Sequence, residues 1–510
     1  MDWNERLKLL PTRLVEIIDA HAATRPDAIA VSDARGRRSF RDLAHGIAAI
    51  ATELRQAGVR PGDRVVLVAE NRFESVCAVY AITSLDAWSV MANARLTAPE
   101  IDTVAAISGA RLVVYSSGDQ PETHVHARGQ ARCIANAAYG VLAFGPLDAS
   151  AAPEPVHADP RAQVAATIFT SGSTGKPKGV MLTHSALAHQ CALSTVERGY
   201  RDDDCLYVVA PITHIFGFSS MMLAPLYAGA ELRMAPRFEI EATVKAMQEN
   251  VTRIYGAPPM FAALVERAHR TGEHYRDCGL RDVISGGAVT DQSLRDHVHE
   301  VFGIPLGVGY AATEYTPIAG SNSLRPAGRD AVGPVWRTNE LRIVDAAGTV
   351  LASGDTGEIE VRGPCMMIGY YRDEAATRDA IKPGGWLATG DLGFLDANGE
   401  LRVVGRLKEV IVRSGFKVNP PEVEAALDRH PAIAQSVVVG RSVPGNEEVI
   451  AFVQLRQSAL LDLADLDRHL RVQLAPYKLP SRIEVLEALP LGTTGKVMRL
   501  ELAQRARTLA

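Results

Sequence analysis

The chain has 510 residues, more than one hydrophobic core usually organises, so at least two domains are expected. Hydrophobic residues at 47% and charged residues at 22% match an ordinary globular protein rather than a disordered or fibrous one, and a net charge of -5 argues against general affinity for nucleic acid. No apolar run approaches the ~20 residues a membrane-spanning helix needs, and the opening Met-Asp-Trp-Asn-Glu carries acids where a signal peptide needs an apolar block, so a cytoplasmic location is expected. The six cysteines, at 77, 133, 191, 205, 278 and 365, form no CxxC pair and read as small buried hydrophobes rather than a zinc site or disulfide framework.

In chain order, a helix is predicted over 13–23 and another over 40–57, where Leu43, Ile47, Ile50 and Leu54 recur at helical spacing before Gly58. Residues 63–69 read as a buried strand, 72–84 as a helix and 110–115 as a strand. After residue 180 the alternation resumes, with strands near 205–210, 253–255, 281–284 and 306–309. Alternating strand and helix implies parallel strands covered by helices on both faces, the doubly wound α/β architecture. Around 340–361 the pattern changes to hairpins, and Asn398-Gly399 is a hairpin turn signal inside a β-rich subdomain. The last hundred residues read as a small α+β unit, with helices over 421–430 and 462–474 and strands over 435–440, 449–455 and 482–489. The boundary falls at 405–408, giving an N-terminal domain over 1–404 and a C-terminal domain over 409–510.

The chemistry is concentrated in one stretch, 170–179, reading Thr-Ser-Gly-Ser-Thr-Gly-Lys-Pro-Lys-Gly between two apolar runs that read as paired strands. Its glycines permit close backbone approach, and its amides, hydroxyls and lysines are donors suited to polyphosphate. It is not a Walker loop, because Pro177 follows Lys176 and a strand rather than a helix follows Gly179. Four more stretches follow in order: Tyr310-Ala-Ala-Thr-Glu314, Gly385-Trp-Leu-Ala-Thr-Gly-Asp391, Gly405-Arg-Leu-Lys-Glu-Val-Ile411 and Pro490-Leu-Gly-Thr-Thr-Gly-Lys496.

Together these five stretches resemble the adenylate-forming enzymes, the superfamily of acyl-CoA synthetases, peptide-synthetase adenylation domains and firefly luciferase, over essentially the whole chain. The resemblance implies ATP, Mg2+ and coenzyme A as the reaction's companions, a large N-terminal domain and a small mobile C-terminal one. A homodimer is left open. Joining a carboxylate to the α-phosphorus brings two anions together, so positive charge and orientation matter more than a strong base. By resemblance, the phosphates are held by Thr170, Ser171, Thr174 and Lys178, with Gly172, Ser173 and Gly175 shaping the loop. Tyr310 and Thr313 flank the nucleotide, and Glu314 binds Mg2+. Asp391 accepts from the ribose hydroxyls, Arg406 assists from the linker side, and Lys496 reaches the junction of carboxylate and α-phosphate. Lys408 is the hinge over 405–408, and Gly415 lets the pantetheine arm pass.

The acyl pocket is implied to be lined by His214, Tyr255, Gly286, Gly309 and Ile318, although His214 could equally be a satisfied core histidine. No acid occurs between Pro211 and Ser220 to pair with a substrate ammonium, and no charged residue falls at the pocket positions. The expected substrate is therefore an apolar monocarboxylate, aryl or medium-chain acyl, in preference to amino acids and dicarboxylates. Ala311 replaces a glycine of the common pattern and is expected to narrow the acyl channel. The leading reading is an AMP-forming carboxylate:CoA ligase of fatty or aromatic acid metabolism. Its alternatives are a stand-alone adenylating enzyme that loads a carrier protein, more remotely a luciferase-like oxygenase, and a non-catalytic nucleotide sensor, which would keep the loop but lose Glu314 and Lys496.

Overall fold

The computed structural model describes residues 9–116, 126, 129–170, 177–414, 416–443, 446–456, 459–492 and 497–509. Its centre is a helix that the sequence marks by having no polar face. Phe73–Ser84 buries every residue but the last, because sheets lie on both sides of it. One is an eight-stranded mixed sheet in which Arg64–Ala69 pairs in parallel with Trp88–Asn93 and Leu112–Tyr115, while Val164–Thr170 pairs in parallel with Trp88–Asn93. Arg64–Ala69 is buried at every residue, which is why it reads as a continuous apolar run rather than an alternation. The second eight-stranded sheet has a parallel centre built from Glu231–Met234, Cys205–Val208, Arg253–Gly256, Asp282–Gly286 and Leu306–Tyr310.

The architecture is α/β as the alternation predicts, with antiparallel edges that alternation alone does not disclose. The hairpin Arg132–Asn136 and Gly140–Phe144 closes one side of the first sheet, and Ile29–Asp33 with Gly36–Ser39 closes the second. The helix expected over 40–57 runs Phe40–Gln56. Asp42 N donates to Ser39 Oγ (3.2 Å) and Ser39 N to Asp42 Oδ2 (2.8 Å), a reciprocal cap that fixes its start, and Leu43, Ile47, Ile50 and Leu54 are all buried.

A six-stranded, largely antiparallel sheet forms the β-rich subdomain, with Trp386–Leu395 between Gly357–Arg362 and Glu400–Arg406. The C-terminal unit has its own core of Ile411, Val423, Leu427, Val438, Ala451, Leu466 and neighbours, around Ile433–Val443, Asn446–Leu455 and Arg482–Leu486. The closing helix Arg499–Thr508, which the sequence reading leaves out, packs Leu502 and Ala506 onto the other face of that sheet. Among the described residues no helix is long and apolar enough to cross a membrane.

Candidate active site

The parallel strands of the second sheet end together, and the candidate residues gather beyond their carboxyl ends, where open α/β sheets bind ligands. Leu306–Tyr310 leads into a turn closed by Ala312 N to Tyr315 O (2.9 Å), and the chain returns with Ile318 N donating to Tyr310 O (3.0 Å). That turn sends Tyr310 and Glu314 to two different groups.

Glu314 faces the first sheet. Gly369–Tyr370 is the edge strand beside Lys178–Thr183, Tyr370 opposite Val180, and this brings the Tyr370 hydroxyl to Glu314 Oε1 at 2.7 Å. Burial raises the Tyr370 phenol above its usual range, with the Glu314 charge adding to it, so the tyrosine is a fixed donor. Lys178 Nζ lies 4.9 Å from the centre of the same ring, and its strand pairs Lys178 with Thr170 across the base of the predicted phosphate loop. Thr170, Lys178, Tyr370 and Glu314 thus form one connected group. Ser171, Gly172, Ser173, Thr174 and Gly175 lie outside the described residues.

Asp391 faces the second group. It is buried on Trp386–Leu395, where it accepts from the Tyr310 hydroxyl at 2.8 Å and pairs with Arg406 Nε at 3.1 Å, Arg406 being its register partner on the neighbouring strand. Burial raises the Tyr310 phenol, again helped by the adjacent carboxylate. Thr389 holds the turn by donating to Ile359 O (2.8 Å) and accepting from Asp391 N (3.1 Å). Thr313 is half-buried.

The implied acyl wall is assembled from three neighbouring strands and one helix start. Gly286 and Gly309 are register partners, so their missing side chains open the same face of the sheet. A methyl on Gly286 would stand 3.1 Å from the Phe216 ring. His214 is half-buried, and its Nδ1 accepts from Phe216 N at 3.3 Å at the head of a wide helical segment, Phe216–Leu223. Such an i→i+5 turn is frequent at functional sites. Tyr255 and Ile318 are fully buried, Tyr255 with its hydroxyl on Asp282 (2.8 Å).

Two expectations change here. Ala311 is exposed, so its methyl does not narrow a buried channel. The absence of a charged residue at this wall, on which the preference for apolar monocarboxylates rested, does not hold: Arg198, only 3% exposed, stands against Gly309, whose added methyl would lie 3.2 Å from Arg198 Nη2. Arg198 closes its helix just before Gly199 and reads in sequence as an ordinary C-terminal cation.

Sequence reasoning also missed Tyr370, Phe216 and Asn71. Asn71, 2% exposed, donates from Nδ2 to the carbonyls of Val208, Ala210 and Ala235 and accepts Ile212 N (3.0 Å), fastening residues 208–212 ahead of His214. No local pattern distinguishes it from a turn asparagine.

Towards the C-terminus, Lys408 is exposed on the short turn Leu407–Glu409 that follows Arg406. Arg413 donates to the carbonyls of Tyr477 and Leu479 inside the small unit. Gly415 and Lys496 lie outside the described residues.

Residues 18–371 match the family model of the AMP-binding enzymes, and residues 422–496 match that of the AMP-binding enzyme C-terminal domain. The chain is 34% identical over 512 residues to 4-coumarate-CoA ligase 5 of Oryza sativa subsp. japonica, spanning 95% of this chain and 93% of that one. It is 33% identical over 484 residues to 2-succinylbenzoate-CoA ligase of Geobacillus kaustophilus, spanning 94% and 95%. Among solved structures it is similar to the o-succinylbenzoate CoA synthetase of Bacillus subtilis in complex with its acyl-adenylate intermediate, with a TM-score of 0.79, 26% identity and 95% and 97% of the two chains covered.

Proposed function

The chain belongs to the AMP-binding enzymes, in their CoA-ligase branch, and from that premise we propose that it activates a carboxylic acid with MgATP to an acyl adenylate and pyrophosphate, then transfers the acyl group to coenzyme A. The observation that carries this reading is the single turn after Leu306–Tyr310. It sends Tyr310 to Asp391 and, four residues later, Glu314 to Tyr370 beside Lys178, which supports reading Asp391 as the ribose acceptor and Glu314 as the phosphate-side carboxylate, both tied to one turn. Orientation of this kind is the main resource for joining two anions.

In this proposal Thr170 and Lys178, with Ser171 and Thr174, hold the outer phosphates, while Asp391, kept in place by Tyr310 and Arg406, accepts from the ribose. Glu314 is the residue that would hold Mg2+. A carboxylate oxygen is the hard ligand this ion takes, alongside phosphate oxygens and water. When bound, the ion would offset charge on the phosphates. The acyl body, aryl or medium-chain, runs along Tyr255, Gly286, Gly309 and Ile318. Residues 405–408 are proposed as the hinge about which the unit over 409–510 turns between the two half-reactions, with Lys408 at its centre.

The test is purified full chain with MgATP, coenzyme A and a panel of aryl and medium-chain acids. AMP, pyrophosphate and free thioester are expected. ADP and phosphate as products would overturn adenylation, and thioester formed only on a phosphopantetheinylated carrier protein would move the acceptor from coenzyme A to that carrier.

A further inference from the structure

Two arginines of nearly equal burial stand next to each other beside the acyl wall, and their surroundings differ. Arg253, 2% exposed, directs its guanidinium to Asp204 (2.7 Å), Asp282 (3.0 Å) and the carbonyls of Arg198 and Gly199, so its donors are met inside the protein. Arg198, 3% exposed, has no hydrogen-bond partner for Nε or Nη1 among the described residues. The acids nearby are committed: Glu197 serves Arg325 (2.6 Å) and Arg337, while Asp282 serves Arg253, Tyr255 and Ser323 N. A buried cation with unmet donors is a cost to the fold that an anion of the right shape would relieve.

The geometry also says how that anion would be met. The guanidinium carbon lies 5.2 Å from the Tyr255 ring centre and 5.0 Å from that of Trp336, and Trp336 is itself fixed by its indole N–H on Gly320 O (3.2 Å). With aromatic rings against the guanidinium, its remaining interactions are the in-plane N–H groups, which match the oxygens of a carboxylate. Side chains alternate along a strand, so Tyr310 reaches Asp391 on one face while Gly309, one residue earlier, opens the other towards Arg198. Arg198 therefore lies on the acyl side of the wall, away from the Glu314 and Asp391 groups.

We infer that Arg198 is the counter-charge for a second carboxylate on the acid substrate. The chain activates one carboxyl group of a dicarboxylic acid while the other pairs with Arg198 past Gly309. This rests on the reading of the chain as an acid:CoA ligase.

The experiment compares pyrophosphate release by the full chain for acids matched in size, aryl and straight-chain, with and without a second carboxylate. In at least one pair the diacid is expected to be favoured in kcat/KM on the order of 100-fold, mostly through KM, as for a buried charge pair. Arg198→Met should remove that ratio and Arg198→Lys should keep part of it. A second measurement needs no variant: the monomethyl ester of the favoured diacid should lose the advantage with the wild-type protein. The inference is overturned if the acid with one carboxylate wins every pair, if the ester performs as well as the diacid, if Arg198→Met folds and keeps the ratio, or if a hydroxy acid outdoes the diacid, which would assign Arg198 to a neutral oxygen. Pyrophosphate released with monoacids alone sinks this inference and leaves the ligase reading standing, whereas no pyrophosphate with any acid sinks both.

Discussion

Asn71 offers a test of how the first structural layer holds the site, because Asn71→Asp removes its amide donors with little change in volume. Its Nδ2 donates to Val208 O (3.3 Å), Ala210 O (3.0 Å) and Ala235 O (3.0 Å), and its Oδ1 accepts Ile212 N (3.0 Å). In Asn71→Ala the Val208 carbonyl keeps its bond from Ala235 N (2.9 Å), and the half-buried carbonyls of Ala210 and Ala235 recover part of their loss from water. The Ile212 N–H, in a fully buried residue, recovers none. One fully and two partly orphaned groups sum to about 3 kcal/mol. Asn71→Asp leaves no cavity but turns a carboxylate onto three carbonyl oxygens, so it should cost at least as much at neutral pH. The assay is the urea midpoint of the first unfolding transition, with the slope checked for constancy because a chain with two cores need not unfold in one step. Steady-state kinetics should show KM for the acid rising more than KM for ATP, since residues 208–212 lead to His214 and not to the phosphate group. An Asn71→Asp protein as stable as wild type would refute the reasoning, because packing volume and not hydrogen bonding would then explain Asn71.

The two half-reactions should separate by mutation. Lys496→Ala is expected to lower pyrophosphate release on the order of 100- to 1,000-fold while leaving thioester formation from synthetic acyl-AMP nearly unchanged, and Gly415→Leu should do the reverse; equal loss of both steps in a folded Lys496→Ala protein would count against domain alternation. Gly217→Ala places a methyl 2.1 Å from Pro211 O, which is backbone and cannot yield cheaply, so a loss of about 1–3 kcal/mol or more and a raised KM for the acid are expected, and unchanged thermal unfolding would show that the turn relaxes freely. Burial lowers the His184 imidazole to about 4 while its Nδ1 accepts Leu14 N. The unfolded chain then binds a proton the native state refuses, so its contribution is intact above the ordinary value near 6.5 and is lost as pH falls towards 4, up to about 3 kcal/mol. His184→Asn should flatten the fall in urea midpoint between about pH 7.5 and pH 5, and an equally steep fall in the variant would place the acid sensitivity elsewhere.

What the sequence determines by itself is whatever a local rule can carry. The apolar run at Arg64–Ala69, the helical period of Leu43, Ile47, Ile50 and Leu54, and the Asn398-Gly399 turn each specify an element through neighbours a few residues away, and the structure contains all three. The five ordered motifs identify the family for the same reason, since each is a short string whose residues act together. Glu314 and Asp391 could thus be named without coordinates. Their partners could not. Tyr370 meets Glu314 across 56 residues, Tyr310 meets Asp391 across 81, and Asn71 grips carbonyls up to 164 residues away, distances over which no periodicity carries information. Arg198 is the clearest case. In the sequence it is a cation in the last turn of a helix before a glycine, a place where solvent and the helix dipole account for it. Only the packing of Tyr255, Trp336 and Gly309 against it, brought from three other segments, takes it out of water and leaves two of its donors unmet among the described residues, a cost that no local pattern discloses.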